Sequence, residues 1–219
     1  MKIIIAGASG MVGSLVLNEA IQDNRVSEII SLVRRNSNNS SSKIREIVVA
    51  DFADLSAHAS EFNDIYAAYF CIGVYTGSVP NDQFKVITFD YAEEFGRAVT
   101  QNSPDVRVCL LSGQGADRKE KSRIAFAKFK GMAENALAKI ASEFHSFRPG
   151  YIYPVTPRKE PSFMYRLSRT LYPLFKIMGK NMSIKSTELA KVIYHVGMNG
   201  SDMEVMENRD MINYFNEKI

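Results

Sequence analysis

The first thirteen residues contain a short apolar run that stops at a glycine-rich turn. Residues 2–6 are rich in β-branched apolar side chains, which is typical of a parallel strand buried on both faces. Gly7, Gly10 and Gly13 follow at a spacing of three, and an apolar pattern of helical period begins at Val12. A strand, a G-x-x-G-x-x-G turn and a helix in this order predict the opening of a βαβ unit.

Each glycine of this turn has a physical task. The first allows the tight turn, the second lets backbone N–H groups approach a pyrophosphate, and the third permits close packing of helix on strand. The following helix N-terminus supplies partial positive charge for phosphates. An ordinary turn is the alternative, but its place after the first strand favours a dinucleotide site. That site comprises Gly7, Ala8, Ser9, Gly10, Met11, Val12 and Gly13.

The end of the second predicted strand, residues 29–33, indicates which dinucleotide is bound. An enzyme that prefers NAD places Asp or Glu there, where the carboxylate accepts a hydrogen bond from the ribose 2′-OH. This chain has Arg34 and Arg35 instead. Guanidinium groups pair with a 2′-phosphate, so the sequence favours NADP(H) over NAD. The alternative is that both arginines are ordinary solvated surface residues.

Asp51 and Phe52 follow the third predicted strand, residues 47–49. Asp51 is placed to accept a hydrogen bond from the adenine amino group, and Phe52 lies beside it as a further cofactor-binding residue. The alternative for Asp51 is a turn cap, because aspartate side chains often bond backbone N–H groups two residues ahead.

Further along the chain, strand-like and helix-like patterns alternate. Strands are predicted over 67–72 and 106–111, long helices over 82–101 and 122–144, and a short run over 145–148 before Pro149. This alternation predicts an α/β fold, a Rossmann-type doubly wound parallel sheet, with its ligand site at the carboxyl ends of the strands.

Prolines punctuate the chain beyond residue 150 and loosen the pattern. We expect residues 151–185 to form a small C-terminal cap on the substrate side of a single domain of 219 residues. Helices are predicted over 163–178 and 187–196. The first is amphipathic, and a membrane surface or a partner is the alternative to packing over the substrate cleft.

Composition narrows the classes of partner. Apolar residues make up 46% of the chain and charged residues 23%, with a net charge of +3 and scattered basic residues, so nothing points to nucleic acid. No run approaches the ~18 apolar residues of a membrane span, and the apolar start is too short for a secretory signal. We expect a cytoplasmic protein without a membrane span that binds a dinucleotide and a small-molecule substrate.

The cysteines and histidines predict no metal site. Cys71 and Cys109 lie inside apolar runs, as reduced core thiols do. His58, His145 and His195 are far apart and fit no close ligand spacing, so structural roles are the better interpretation.

Several short motifs give the chain a family resemblance. They are residues 7–13, Cys71-Ile72-Gly73, Phe89-Asp90-Tyr91, Leu110 to Asp117, Lys128-Phe129-Lys130-Gly131, Glu134 and Phe147-Arg148-Pro149-Gly150. On these residues the chain resembles the atypical short-chain dehydrogenase/reductases of the NAD(P)H-binding Tat-interacting-protein-like branch, close to the NAD-dependent epimerase/dehydratase-like proteins. The resemblance covers most of the chain and is weakest in the last 60 or so residues. It implies that Cys71, Ile72 and Gly73 also line the cofactor.

The resemblance also implies an active site similar to Ser…Tyr-x-x-x-Lys. Ser112 and Lys130 match the serine and the lysine, and Lys130 is also expected to hydrogen-bond the nicotinamide ribose. The tyrosine position holds Phe126, which has no exchangeable proton. Tyr75 and two further tyrosines, Tyr151 and Tyr153, are candidate replacements, although packing is the simpler role for each.

Two functions therefore stay open. One is an NADP(H)-dependent oxidoreductase or epimerase acting on a small carbonyl or sugar-type substrate, with Ser112 and Lys130 and a substitute proton donor. The other is a non-catalytic NADP(H)-binding redox sensor or partner-binding regulatory protein, which Phe126 favours. The two long helices allow a homodimer, and a monomer is equally allowed.

Overall fold

A computed structural model describes residues 1–37, 39–155 and 181–219. Seven parallel strands form one sheet in the order β3-β2-β1-β4-β5-β6-β9. These strands are β1 (Lys2–Ala6), β2 (Glu28–Val33), β3 (Ile44–Val48), β4 (Ile65–Phe70), β5 (Arg107–Leu111), β6 (Glu143–Arg148) and β9 (Val205–Glu207). Two short strands, β7 (Tyr151–Tyr153) and β8 (Ser183–Lys185), pair in parallel in a separate small sheet.

Helices lie on both faces of the seven-stranded sheet. They are α1 (Met11–Gln22), α2 (Asn81–Lys85), α3 (Tyr91–Asn102), α4 (Ala125–Ile140), α5 (Ser186–Asn199) and α6 (Asn208–Lys218). One turn of π-helix, Val86–Asp90, joins α2 to α3, and a 3₁₀ helix, Ser56–Phe62, precedes β4. The predicted doubly wound α/β fold is confirmed.

Alternation along the strands explains the two layers. Ile3 and Ile5 face one side of β1, where the core includes residues of α1 and α5. Ile4 and Ala6 face the other side, where the core includes residues of α3 and α4. Successive side chains of a strand point to opposite faces, so a strand covered on both sides is apolar throughout.

The strand order reverses between β1 and β4, which are hydrogen-bonded neighbours. Chain connections leave this point in opposite directions, so a crevice opens at the carboxyl ends of these two strands. The glycine-rich turn follows β1 and the loop from Cys71 follows β4. The topology therefore brings two of the predicted cofactor segments together.

Several predicted boundaries were wrong. The helix predicted over 122–144 covers only Ala125–Ile140, because Ala141 is extended and Phe144 pairs with Val108 as part of β6. Before that helix, the Asp117 carboxylate accepts the backbone N–H groups of residues 119, 121 and 122, which holds a turn there.

Other predicted elements also differ from those in the structure. The third strand begins at Ile44, because its pairing with β2 starts there, and not at residue 47. The helix predicted over 82–101 is one helical path interrupted by the π turn. The helix predicted over 163–178 lies outside the described residues, as does most of the predicted cap. The small β7–β8 sheet, β9 and α6 were not predicted.

In the described ranges 1–37, 39–155 and 181–219, no helix is both long enough and apolar enough to cross a membrane.

Helix α5 packs on the sheet through a glycine. A Cβ atom at Gly197 would lie 2.4 Å from two atoms of the Tyr69 ring system, Cε1 and Oη. Tyr69 is fully buried and donates a hydrogen bond to the Tyr194 backbone carbonyl at 3.1 Å. The absence of a side chain at residue 197 thus allows the helix to approach the strand.

Gly197→Ala is therefore expected to lower the free energy of unfolding by about 1–3 kcal/mol, the usual cost of overpacking. The substitution would otherwise stabilise a helix by roughly 0.5–1 kcal/mol. Urea unfolding, with Lys191→Ala on the same helix as control, measures this difference. Stabilisation by Gly197→Ala would show that the contact with Tyr69 does not constrain the packing.

Candidate functional site

A cavity of about 350 Å³ opens at the carboxyl ends of β1, β2 and β4, and we call it the turn cavity. Its walls come from the glycine-rich turn, the end of β2, the loop after β4 and the helices that follow. The lining residues are Gly7, Ser9, Gly10, Leu32, Val33, Arg34, Phe52, Cys71, Ile72, Gly73, Val74, Ile87 and Tyr91. Most of the predicted cofactor segments thus contribute to one cavity.

The glycines of the turn are needed for close backbone approach. Gly7 has φ +91°, and a Cβ atom there would lie 2.7 Å from the carbonyl carbon of Cys71. A Cβ atom at Gly13 would lie 2.2 Å from the Gly7 carbonyl oxygen. The turn therefore packs against the loop after β4 without room for side chains, and its backbone faces the cavity.

Helix α1 begins at this turn. Gly10 is its N-cap, and it has no side chain with which to cap the N–H groups of the first helical turn. Those groups point out of the helix end and carry partial positive charge. They are suited to phosphate oxygens.

Arg34 lines both the turn cavity and an adjoining cavity of about 370 Å³, which we call the arginine cavity. Arg35, Ser37 and Glu46 also line the arginine cavity. Both arginines are exposed, and the Glu46 carboxylate accepts the Ser37 backbone N–H at 2.8 Å. Two positive charges and one negative charge thus line this cavity, and the negative one, Glu46, was not among the predicted cofactor residues.

Asp51 and Phe52 lie in different environments, although both were predicted to bind the cofactor. Phe52 lines the turn cavity, and its ring centroid lies 5.7 Å from that of Tyr91. Asp51 is exposed, and its carboxylate accepts the Ala53 backbone N–H at 2.9 Å. That bond is the turn cap considered as the alternative for Asp51, which is not among the described residues that line the turn cavity.

Ser112 lies at the end of β5 and is buried. Its hydroxyl donates a hydrogen bond of 2.6 Å to the Glu134 carboxylate, which is fully buried. The Ser146 hydroxyl, Arg148 Nε and Arg118 Nε donate to the same carboxylate at 2.9, 2.9 and 3.0 Å. A hydroxyl has one proton to donate, so that of Ser112 is directed to Glu134 and not toward a ligand.

Glu134 stays ionised in this environment. Burial raises the pKa of its carboxyl, but hydrogen bonds from Arg148, Ser112 and Ser146 together with the Arg148 charge outweigh that effect and lower the pKa below its usual value. The carboxylate therefore ties α4 to β5 and β6. The sequence did not predict this role for Glu134, which was named only among the residues of the family resemblance. Its position four residues after Lys130, on the same face of a helix, was the one local indication that the two side chains are neighbours.

Lys130 is also buried, and its Nζ donates a hydrogen bond of 2.8 Å to the Leu111 carbonyl. Burial lowers the pKa of the ammonium group to about 8, although the Glu134 charge opposes the shift. Lys130 is not among the described lining residues of the turn cavity. Its expected bond to the nicotinamide ribose stays a prediction.

Phe126 lies in a third cavity of about 360 Å³, which we call the distal cavity. Val74 lines both this cavity and the turn cavity, so the two are neighbours. The lining residues are Met11, Val74, Tyr75, Thr76, Ser112, Gly113, Phe126, Pro149, Gly150, Tyr151 and Ile152. Two of the candidate replacement tyrosines, Tyr75 and Tyr151, are thus on the same cavity as Phe126.

Cys109, His145 and His195 have structural roles, whereas Cys71 also lines the turn cavity. Cys71 and Cys109 are buried and unbridged, and burial raises the pKa of the Cys71 thiol to about 12. His145 bonds the Met203 carbonyl, and His195 bonds the Tyr214 hydroxyl.

Comparison with known proteins identifies the family of the chain. The sequence model of the NAD dependent epimerase/dehydratase family matches residues 3–200. Protein FMP52, mitochondrial, from Candida albicans is 30% identical over 159 residues, which are 68% of this chain and 66% of that protein, just under two thirds of its length. That relative's name gives no support to the cytoplasmic location expected from the sequence, which stays a prediction.

Solved structures are similar in fold. Gre2 from Candida albicans, in complex with NADPH, has a TM-score of 0.71 at 12% sequence identity and covers 100% of this chain and 83% of its own. The Bordetella bronchiseptica enzyme WbmG, in complex with NAD, has a TM-score of 0.69 at 12% identity and covers 99% of this chain and 76% of its own. At these identities the likeness concerns the fold alone.

The buried charge of Lys130 has a measurable cost. The group has a pKa of about 8 in the folded protein and roughly 10.4 in the unfolded chain. Between those values the native state binds fewer protons, so the stability of the wild type relative to Lys130→Met rises with pH across this window. We expect the stability of wild type relative to Lys130→Met to be lower at pH 7 than at pH 10 by about 2–3 kcal/mol, because each unit of the lowered pKa corresponds to about 1.4 kcal/mol.

Urea unfolding of both cofactor-free proteins at several pH values measures that difference. Other titrating groups contribute to both proteins and cancel in the subtraction. A difference that stays constant from pH 7 to pH 10 would contradict the lowered pKa.

Proposed function

This chain belongs to the NAD dependent epimerase/dehydratase family, and we propose that it binds NADP(H) in the turn cavity with the 2′-phosphate in the arginine cavity. The main support is that the turn cavity, which lies at the N-terminus of α1, adjoins the arginine cavity and that Arg34 lines both. The NADPH and NAD complexes of its structural neighbours support a nicotinamide dinucleotide. The arginines favour the phosphorylated form.

The residues fit the parts of such a cofactor. The Gly10 N–H donates to the Gly7 carbonyl at 3.0 Å, so the donors for the pyrophosphate are the N–H groups in the first turn of α1, at the positive end of that helix. Phe52 and Tyr91 line the turn cavity with aromatic rings, which suit the adenine. Arg34 and Arg35 suit the 2′-phosphate, whereas the Glu46 carboxylate opposes it and reduces the advantage of NADPH over NADH.

When bound, NADPH supplies a hydride to a carbonyl acceptor. Reduction of a carbonyl also requires a proton, and neither residue 126 nor Ser112 is placed to supply it. Phe126 has no proton to give, and the Ser112 proton is directed to Glu134. We therefore favour an NADP(H)-binding protein that does not carry out tyrosine-dependent reduction through residue 126.

Calorimetric titration with NADPH and NADH at fixed salt tests the cofactor proposal. Wild type is expected to prefer NADPH by tenfold or more, about 1.4 kcal/mol, and Arg34→Ala/Arg35→Ala to lose that preference while still binding NADH. Glu46→Gln is expected to increase the preference, because it removes the opposing charge.

Arg123→Ala is the matched control, since Arg123 is exposed and does not line the described walls of either cavity. Binding of neither dinucleotide by wild type would overturn the proposal. Equal affinities that the arginine variant leaves unchanged would overturn the assignment of the 2′-phosphate.

A reductase with a substitute proton donor is the second candidate, and Tyr75 and Tyr151 on the distal cavity favour it. NADPH oxidation is measured with a panel of small ketones and aldehydes. If wild type turns over, Tyr75→Phe or Tyr151→Phe is expected to lower kcat at least a hundredfold with little change in NADPH affinity, the usual contribution of a general acid. No turnover by wild type supports the binding protein, and turnover that survives both substitutions contradicts these tyrosines as donors.

A further inference from the structure

The contact between Phe126 and Gly113 determines what the distal cavity can hold. A Cβ atom at Gly113 would lie 2.4 Å from Cζ of the Phe126 ring and 3.4 Å from both Cε1 and Cε2. Equal distances to the two Cε atoms place Gly113 on the long axis of the ring, beyond its tip. The ring therefore points directly at the backbone of residue 113.

In this geometry the site has no room for the hydroxyl of a tyrosine at residue 126. A hydroxyl on Cζ would extend along the ring axis into the backbone of Gly113. A tyrosine fits only if the ring moves, so residues 113 and 126 form a coupled pair. The ring is held in place as an apolar wall of the distal cavity.

The rest of the cavity has the same character. Met11, Val74, Pro149 and Ile152 contribute apolar surface, and the polar groups on the cavity belong to neutral side chains and the backbone. The described lining residues include no Asp, Glu, Lys or Arg. Among these described walls, a carboxylate or phosphate would lose water without gaining a cation, which is strongly unfavourable.

We propose that the distal cavity binds a small, uncharged ligand with an apolar body and one carbonyl group, and that Phe126, seated on Gly113, is its specificity-determining wall. This inference rests on the proposed function, because the ligand sits beside bound NADP(H). The described walls of the cavity favour such a ligand over nucleoside diphosphate sugars and phosphorylated sugars. Tyr75, Thr76 and Tyr151 provide the polar surface for a single carbonyl oxygen.

A matched pair of ketones tests the class of ligand. Binding of 2-tetralone and of 6-carboxy-2-tetralone is measured by calorimetry on wild-type protein saturated with NADP⁺, which cannot reduce a ketone. The neutral ketone is expected to bind at least tenfold more tightly than its carboxylate, and UDP-glucose is expected not to bind. Equal or tighter binding of the carboxylate or of UDP-glucose would overturn the proposal.

Two substitutions test the wall itself. Gly113→Ala adds a methyl group that pushes the Phe126 ring from its position, and we expect at least a tenfold loss of 2-tetralone affinity. Phe126→Leu shortens the wall, so in that background the added methyl is expected to cost less than threefold. Ile124→Ala, at an exposed apolar residue off the cavity, is the control. Equal effects of Gly113→Ala in both backgrounds would show that the two residues are not coupled.

NADP⁺ titration of every variant separates this inference from the proposed function. If wild type does not bind the dinucleotide, the proposed function fails. If it binds the dinucleotide but neither ketone, only the ligand class fails. Should Gly113→Ala not fold, the ketone pair on wild type and on Phe126→Leu still decides the matter, because Phe126→Leu alone is expected to weaken 2-tetralone binding and not to improve it.

Discussion

The contact between the glycine-rich turn and the loop after β4 determines the shape of the candidate cofactor site. Gly7 approaches the backbone at Cys71, and Gly13 approaches the carbonyl of Gly7, at distances that leave no space for a Cβ atom. This packing fixes the start of α1 over the carboxyl ends of β1 and β4. The turn cavity exists because backbone, and not side chains, fills that junction.

A second interaction organises the opposite side of the site. The Glu134 carboxylate holds Ser112 and Ser146 and two arginines, and so connects α4 with the ends of β5 and β6. Removing such a charge from water is expensive, and only several charge-assisted hydrogen bonds make its burial tolerable. The Ser112 hydroxyl is one of those bonds, which ties it to the architecture of the fold rather than to a ligand.

These two features give the molecule two unequal halves. Backbone groups and Arg34 prepare the cofactor half for an anionic dinucleotide. In the other half, Phe126 takes the place of an acid, and Ser112 donates to Glu134. Features suited to dinucleotide binding in the first half therefore do not imply proton transfer in the second.

The sequence alone predicted a doubly wound parallel sheet, although not its strand β9, together with the glycine-rich turn and the two arginines after β2. Periodicity and local turn chemistry depend on short segments, which is why they can be recognised without the fold. The sequence also determined that residue 126 has no proton. The turn cap of Asp51 is a local contact that was already one of two interpretations from the sequence. The folded structure was needed to show where helix α4 ends, that Glu46 lines the arginine cavity, that Ser112 donates to Glu134 and that Phe126 rests on Gly113. Each of the last four depends on groups from separate segments that meet only when the sheet has assembled, and no local pattern reports a contact between distant residues.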